Sequence, residues 1–421
     1  MAEIRPLHTL RYDLASVGGL DAVIAPPYDV IDAERRAALV ARSPFNVVEV
    51  DLPEPATGGG DPYMHATTLL EAWRQAGVLV REREPALWAL AQDFVAPDGT
   101  RHTRRGFFAR VRVEDYGAGR IRPHERTHPG PKEDRLRLTR ATRTNLSPIF
   151  SLFDDPAGEA WSALEPATAQ EPFATATDDD GVENRLWRIG EESAIAAVSR
   201  ALADRELLIA DGHHRYETAR LYAQEIGGEG EHRYVLMFLC ALSDPGLAVF
   251  PTHRLLSGLD ESRQQAIREV ATRDFEVEQV DRSQIEPPAD PGRVAFGYMD
   301  SFHRQAYRLT LKDPGVAAAA LPERSGAYRS LDTAVLEALV LRGALGLSEY
   351  DIADQRSVSY AKSTPAALEA VESGAVDAAF FMRATPIEQV RAVAAAGESM
   401  PPKSTFFYPK VPTGLVFSPL E

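Results

Sequence analysis

Residues 206–219 read ELLIADGHHRYETA, and this stretch decides the fold of the central part of the chain. Its first part predicts a short buried strand, because the apolar residues are continuous. Asp211 and Gly212 then predict a turn, since glycine tolerates a positive φ or a close backbone approach. A helix is predicted from His213 onward. A strand that ends in a glycine turn and opens a helix leaves free N–H groups at the helix start, where anions bind.

The side chains of this turn predict a phosphate or metal–phosphate site. Three potential cations, His213, His214 and Arg215, stand next to the carboxylate of Asp211. Mg²⁺ is the metal expected for Asp211 together with substrate phosphates, because hard oxygen ligands suit this ion. The alternative is an ordinary Asp-Gly turn with surface histidines, but five polar residues at one strand end favour a functional site.

The overall composition excludes several classes of function. The chain has 421 residues, 44% of them hydrophobic and 26% charged, with a net charge of −16. This acidity argues against a general nucleic-acid or anionic-membrane surface, so we expect neither partner. Without an apolar N-terminal segment or a long apolar run, a cytoplasmic location is expected. The single cysteine, Cys240, lies among apolar neighbours and is expected to be a buried, inert thiol.

Strands and helices alternate irregularly along the chain, which predicts an α+β (mixed α/β) fold. Three parts are expected: an N-terminal α/β segment (residues 1–115), a central core (residues 116–255) and a C-terminal α/β segment (residues 256–421). Polar, acidic sequence near residues 155–185 predicts an insertion or loop within the core. Local patterns also predict a hairpin over residues 86–113 and helices over residues 132–145 and 330–342.

A second polar cluster follows Pro123. Glu125 is flanked by cationic residues that keep a carboxylate ionised, so it is a candidate general base that accepts a hydroxyl proton. His124, Thr127 and Lys132 lie in the same cluster and are candidate phosphate-binding residues. The alternative is a solvated, proline-rich loop.

Two further clusters share this character. One is Thr252-His253-Arg254, at the end of an apolar strand. The other is the tail, in which Lys403, Ser404, Thr405 and Lys410 lie among aromatic residues. Lysine and hydroxyl donors suit phosphoryl oxygens, although a surface strand end and a structural tail are the alternatives. The histidines of all the clusters also permit a zinc site, but hard oxygen ligands around Mg²⁺ are favoured.

Six ordered motifs along the chain resemble the DUF1015 family. They are APPYDVI (25–31), SPFN (43–46), PHERT (123–127), DGHHRYETA (211–219), PTHR (251–254) and KSTFFYPK (403–410). The strand-turn-helix unit, within about residues 120–250, is also similar to the ParB/sulfiredoxin-like superfamily. That resemblance implies a ParB-like central unit embedded between the terminal segments, with nucleotide bound at the turn. The superfamily includes free-serine kinases of the SerK type, which implies free L-serine as acceptor and an upstream catalytic glutamate, here Glu125.

The resulting hypothesis is a metal-assisted phosphotransferase that acts on a small hydroxylated metabolite, with ATP, ADP or pyrophosphate as donor. Glu125, Asp211 and His213 are the predicted catalytic residues, and Asp211 is the predicted Mg²⁺ ligand, directly or through water. The predicted phosphate- or nucleotide-binding residues are Gly212, His214, Arg215, His124, Thr127, Lys132, His253, Arg254, Lys403, Ser404, Thr405 and Lys410. A non-catalytic nucleotide-binding switch and a metal-dependent phosphoester hydrolase are the alternatives, and a homo-oligomer is possible. The hypothesis requires the clusters to converge in space.

Overall fold

A computed structural model of the protein describes residues 3–96, 99–116, 120–125, 129–289, 292–353 and 357–421. The chain divides into two compact units. The first unit comprises residues 1–123, 127–247 and 409–421, and the second comprises residues 124–126 and 248–408. The three-part division expected from the sequence stays a prediction. In the described part of the chain, every helix is too short or too polar to cross a membrane.

The first unit is built from the elements below, numbered along the chain. Its strands are β1 (Ile4–Arg5), β2 (Leu10–Tyr12), β3 (Leu79–Arg81), β4 (Leu87–Val95), β5 (Arg101–Arg112), β6 (Ile121–Arg122), β7 (Thr144–Asn145), β8 (Ile149–Phe153), β9 (Ala174–Thr177), β10 (Glu183–Ile189), β11 (Leu207–Asp211), β12 (Tyr234–Ala241) and β21 (Ser418–Pro419). Its helices are α1 (Leu14–Val17), α2 (Ala33–Arg42), α3 (Val48–Asp51), α4 (Pro62–Gln75), α5 (Pro129–Thr142), α6 (Glu159–Ser162), α7 (Glu165–Thr168), α8 (Glu192–Leu202) and α9 (His213–Ile226).

A mixed sheet organises the first unit. The strand order is β6-β11-β8-β12-β5-β4-β10-β9, and β1 pairs with β5. The central strand β12 runs parallel to β8 and antiparallel to β5, and its apolar run is buried from Tyr234 to Cys240. Cys240 is therefore a buried thiol, as predicted, and burial raises its pKa. The sheet places β11, which leads into the turn at Asp211, beside the buried strand β8.

Close contact between β5 and β12 depends on a glycine. A Cβ at Gly106 would lie 2.5 Å from both the Phe238 ring and the Leu239 carbonyl oxygen. Real side chains do not approach this closely, so only glycine fits at this position.

Several local predictions for the first unit are confirmed, and one needs correction. The predicted hairpin is the antiparallel pair of β4 and β5. The helix predicted over residues 132–145 is α5, which begins earlier, at Pro129, because proline is tolerated in the first turn of a helix. The polar sequence near residues 155–185 contains α6, α7 and β9 and is not a loop throughout.

The second unit has its own sheet and core. Its strands are β13 (Ala248–Phe250), β14 (His253–Leu256), β15 (Phe275–Gln279), β16 (Ala295–Asp300), β17 (Tyr307–Leu311), β18 (Val358–Ala361), β19 (Ala378–Phe381) and β20 (Phe406–Tyr408). Its helices are α10 (Glu261–Asp274), α11 (Pro314–Ala320), α12 (Gly326–Arg329), α13 (Asp332–Val335), α14 (Glu349–Ala353), α15 (Thr364–Glu372) and α16 (Ile387–Ala395). The main sheet has the order β15-β17-β16-β19-β14-β18, while β13 pairs with β20.

The helix predicted over residues 330–342 is interrupted. α12 and α13 are short, and residues 336–344 form a π-helical stretch, in which the Leu345 N–H bonds the Val340 carbonyl at 2.9 Å. This stretch contributes Leu336, Leu339 and Val340 to the core. Both units mix helices with sheets, so the predicted α+β fold class is confirmed.

Candidate functional site

The turn after β11 has the predicted strand-turn-helix form. Asp211 ends β11, Gly212 has a φ of +94°, and α9 begins at His213. A Cβ on Gly212 would lie 3.0 Å from the guanidinium carbon of Arg215. The turn therefore needs glycine for its backbone conformation and also for the space that the Arg215 side chain occupies.

The Asp211 carboxylate lies between two cations. Its Oδ2 accepts a hydrogen bond from Arg215 Nη2 at 2.5 Å, and its Oδ1 contacts Lys410 Nζ. The side chain of Asp211 is 13% exposed. Burial by itself would raise the pKa of this carboxyl, but Lys410 and Arg215 hold it well below its ordinary value. Asp211 is therefore a buried, ionised carboxylate.

Lys410 reaches this turn from the far end of the chain. The Lys410 carbonyl accepts a hydrogen bond from Gln92 Nε2 at 3.2 Å, and the hydroxyls of Thr413 and Ser147 are hydrogen-bonded at 2.6 Å. Arg215 Nη1 in turn donates to the Pro148 carbonyl. The C-terminal segment, residues 409–421, thus brings together two predicted site residues, Asp211 and Lys410.

A second arginine lies close to Arg215. The Arg135 guanidinium packs on the Tyr28 ring at 4.1 Å and contacts Asp51, which is 4% exposed. Burial raises the pKa of Asp51, while Arg135 and Arg215 act to lower it. Arg135, Arg215 and Asp51 line a cavity of about 40 Å³.

The sequence assigned no role to Tyr28, Asp51 or Arg135. The APPYDVI motif was a detectable signal for Tyr28, since it stood out as a motif without a function. Nothing in the local sequence marks Asp51 or Arg135.

Arg104 adds another buried cation to the first unit. Its side chain is fully buried and packs over the Phe150 ring at 4.5 Å, while its Nε donates to Gln92 Oε1 at 3.1 Å. Its Nη1 has no hydrogen-bond partner among the described residues. Burial lowers the pKa of Arg104 to about 10, although Asp211 is one of the groups that favour its charged form. Three cations, Arg215, Lys410 and Arg104, therefore act on Asp211, and cationic donors suit an anion.

The remaining predicted residues of the first unit lie near the same turn. His213 is 5% exposed, and its charge is among those that lower the pKa of Asp211. His214 is half-buried in the first turn of α9. Lys132 lies in the first turn of α5, and its carbonyl accepts a hydrogen bond from Thr218 of α9 at 3.4 Å.

Glu125 and His124 belong to the second unit, where they meet the tail. The His124 carbonyl accepts the Met400 N–H at 2.7 Å, and Glu125 forms a parallel bridge with Met400. His124 Nε2 lies 2.9 Å from the Thr405 hydroxyl. Two predicted clusters, that of Glu125 and that of Thr405, are thus in contact. Thr127 lies outside the described residues.

Arg254 is also buried in the second unit, but it has a different set of partners. It is 4% exposed and donates to the carbonyls of Thr252 at 2.5 Å, Pro402 at 3.2 Å and Lys403 at 3.1 Å. Lys403 has a φ of +57°, a rare conformation for a residue other than glycine. Burial lowers the pKa of Arg254, and Tyr360, Glu337 and Glu125 oppose this shift. Arg254 thus fixes the backbone at Lys403, whose own side chain is exposed.

His253 and Ser404 are buried and form hydrogen bonds within the protein. His253 Nδ1 accepts the Met382 N–H at 3.1 Å, so the ring proton is on Nε2, which lies 3.1 Å from the Thr364 hydroxyl. Burial, with a contribution from Arg254, lowers the pKa of His253 to about 4. Ser404 is 3% exposed and donates to the Pro401 carbonyl at 2.7 Å. A neutral, buried imidazole and a committed hydroxyl lend no support to the phosphate-binding roles predicted for these two residues.

The contacts of Asp211 also bear on the predicted metal. Both of its oxygens already contact cations, so this carboxylate does not fit a directly bound Mg²⁺, which Arg215 and Lys410 would repel. In the part of the chain that the structure describes, no group of three or more His, Cys, Asp or Glu side chains is placed to hold a metal ion. The His-rich zinc alternative therefore gains no support.

Comparison with solved structures finds distant likenesses. A conserved hypothetical protein from Pyrococcus furiosus is 17% identical with a TM-score of 0.36, over 70% of this chain and 92% of that one. A free serine kinase in complex with AMP is 14% identical with a TM-score of 0.36, over 70% and 89%. SbnI from Staphylococcus aureus, truncated at its C-terminus, is 11% identical with a TM-score of 0.36, over 74% and 87%. Because these TM-scores are low, the likenesses carry no argument about function.

Comparison of the sequence with curated proteins finds no match. The model of a protein family does match, over residues 4–334, and its description is protein of unknown function, DUF1015. The match covers well over half of the chain, which confirms the resemblance found in the motifs. The chain therefore belongs to the DUF1015 family.

Proposed function

We propose that the protein transfers a phosphoryl group to the hydroxyl of a small metabolite, with free L-serine as the first acceptor to test. The observation that carries this proposal is the group of cations that act on Asp211. Arg215 and Lys410 contact this carboxylate and the buried Arg104 interacts with it, at the start of a helix whose N–H groups favour anions.

The donor phosphates are assigned to the Asp211 turn, residues 211–215. The first N–H groups of α9, with His213 and His214, would cradle the phosphate oxygens, as predicted from the sequence. Asp211 is given a positioning role, because its contacts hold Arg215 and Lys410 in place. Such cations neutralise the charge that spreads over the transferred group.

Mg²⁺ is assigned to the phosphates of a nucleotide or pyrophosphate donor rather than to direct coordination by Asp211. A magnesium ion usually keeps several waters and binds substrate phosphates, where it offsets their negative charge. The residues of this chain then bind and orient the donor. Of the two contacts predicted between Asp211 and Mg²⁺, direct or through water, this assignment keeps only the one through water.

Glu125 is assigned as the proton acceptor. The hydroxyl oxygen of the acceptor forms the new bond to phosphorus as the bond between phosphorus and the leaving phosphate oxygen breaks. The hydroxyl proton passes to a general base, a role for which the sequence makes Glu125 the candidate. Arg254 and Tyr360 are among the groups that interact electrostatically with this carboxylate in the second unit.

The test is a product assay. Purified protein is incubated with Mg²⁺, L-serine and either ATP, ADP or pyrophosphate, and phosphoserine is detected by ³¹P NMR. One donor is expected to yield phosphoserine, and the rate is expected to fall by about 10²-fold or more in Glu125→Ala and Lys410→Met. Lys312→Met removes an exposed lysine whose amine caps the end of α10, and it should retain the wild-type rate.

The remaining outcomes identify the alternatives. Free phosphate without phosphoserine would contradict the transferase and favour a phosphoester hydrolase. Nucleotide binding without any product would favour a nucleotide-binding switch.

A further inference from the structure

A cleft of about 420 Å³ opens in the second unit, between α10 and the main sheet. One wall, called the helix wall, consists of Gln264, Ile267, Arg268, Ala271 and Thr272. Their spacing of three and four residues places them on one face of α10. The other wall, called the sheet wall, consists of Val277, Tyr298, Asp300, His303, Tyr307 and Leu309.

Strand register explains the sheet wall. Tyr298 of β16 is paired with Tyr307 of β17, and Leu309 is paired with Val277 of β15. Residues two apart on a strand point to the same side, so these side chains share one face of the sheet. The two phenol rings therefore stand next to each other, and the Tyr298 ring packs on Phe380 at 5.1 Å.

The base of the cleft is apolar. Ile267 and Leu309 are each 2% exposed and belong to the core, whereas Val277, on the edge strand, is 49% exposed. A cleft of this volume, with an apolar base and a few polar groups at its rim, is typical of a small-molecule site.

The carboxylate of Asp300 is already committed to the protein. Its Oδ1 accepts the N–H groups of Phe302 at 3.1 Å and His303 at 2.6 Å. His303 Nδ1 lies 3.1 Å from the same oxygen, which leaves Nε2 as the ring nitrogen turned away from Asp300. Asp300 therefore orients the His303 ring.

Arg268 supplies the charge of the cleft. It is exposed on the helix wall, and within the described residues its guanidinium has no ion-pair or hydrogen-bond partner. A guanidinium that forms no ion pair within the described residues suits a single anionic group, and a planar carboxylate matches its two parallel N–H donors.

We propose that this cleft binds a small monocarboxylate with an aromatic body. The ligand ring lies on Ile267, Leu309 and the two tyrosine rings, and its carboxylate faces Arg268 and His303. The proposal is independent of the proposed phosphotransferase activity, because it rests on residues of the cleft alone.

Isothermal titration calorimetry with phenylacetate tests the proposal, and phenylacetamide serves as the neutral isostere. Phenylacetate is expected to bind, and phenylacetamide to bind at least about tenfold more weakly. Arg268→Met should weaken phenylacetate binding about tenfold, whereas Arg263→Met, on the same helix but outside the cleft, should not change it. Ala271→Trp should abolish binding by filling the cleft, and the circular dichroism spectrum verifies that each variant is folded.

Three results would overturn the proposal. The first is no binding of phenylacetate at up to about 10 mM. The second is equal binding of phenylacetate and the neutral amide. The third is unchanged binding of phenylacetate in folded Ala271→Trp or Arg268→Met.

Discussion

Arg215 in the first unit and Arg254 in the second unit follow similar sequence motifs but have opposite surroundings. Both directly follow a histidine, and both are largely shielded from solvent, since the Arg215 side chain is 9% exposed and Arg254 is 4% exposed. Arg215 pairs with the Asp211 carboxylate, which also contacts Lys410. Arg254 donates to three backbone carbonyls. A His-Arg pair after a strand therefore does not define an anion site by itself, because the partners of the arginine decide its role.

Arg254→Met is expected to have the largest effect on stability. The variant leaves three carbonyls, that of buried Thr252 among them, without their donor, so the free energy of unfolding should fall by about 3 kcal/mol or more. Urea denaturation at pH 7 measures this loss. The affinity of the folded fraction for pyrophosphate should stay at the wild-type value. A stable variant that no longer binds pyrophosphate would show that Arg254, like Arg215, serves anion binding.

His253 should make stability depend on pH. Its pKa is about 4 in the folded protein, below the ordinary value of 6.5, so between these values the unfolded chain binds more protons. Stability should therefore rise with pH across this window and be lost as pH falls from 6.5 to 4, by up to about 3 kcal/mol.

His253→Gln isolates this contribution. Urea denaturation at pH 4.5 and pH 7.5 should give a smaller difference in unfolding free energy for the variant than for the wild type. Arg254 also disfavours the imidazolium, while Glu286 lies 4.0 Å from Nε2 and favours it. Equal differences in both proteins would mean that His253 is not held neutral by burial.

Gly212→Ala tests how strongly the Asp211 turn requires glycine, and Gly158→Ala is its matched control. Both glycines have a positive φ and directly precede a helix. A Cβ added at Gly212 would come close to the Arg215 side chain, whereas a Cβ added at Gly158 would lie in open space. We expect a loss of about 1 kcal/mol for Gly158→Ala and about 2 kcal/mol for Gly212→Ala. Thermal denaturation compares the two variants. Equal losses would show that the Arg215 contact adds nothing to the requirement for glycine.

Thr405→Val should have the smallest effect. It removes the hydroxyl that lies 2.9 Å from His124 Nε2, and it should cost about 1 kcal/mol. Thr405→Ser keeps the hydroxyl and should recover most of this loss in urea denaturation. If the serine variant is as unstable as the valine variant, the hydrogen bond does not join the tail to the Glu125 cluster.

Local features of the fold were predictable from the sequence. The turn at Asp211 followed from an apolar run, a glycine and a helical pattern, and each of these signals is contained in a few consecutive residues. The buried thiol of Cys240 followed in the same way. The helical pattern begins only at Lys132, whereas α5 begins at Pro129, because proline fits the first turn of a helix.

The composition of the site was only partly predictable. Lys410 and Asp211 are 199 positions apart, and no local pattern joins them. Arg104 lies in a strand rich in charged residues, which favours exposure, yet it is buried against Phe150. Tyr28 and Arg135 gain their roles from packing between distant segments. Such contacts depend on tertiary structure, which single-sequence patterns do not contain.

If the Asp211 turn is a phosphate site, the protein should bind pyrophosphate, and calorimetric titration measures this binding. The wild type and Lys312→Met are expected to bind pyrophosphate with the same affinity. Lys410→Met should bind it at least about tenfold more weakly, because a cation at the site is lost. Equal affinity in Lys410→Met and the wild type, or no binding by the wild type, would contradict the account.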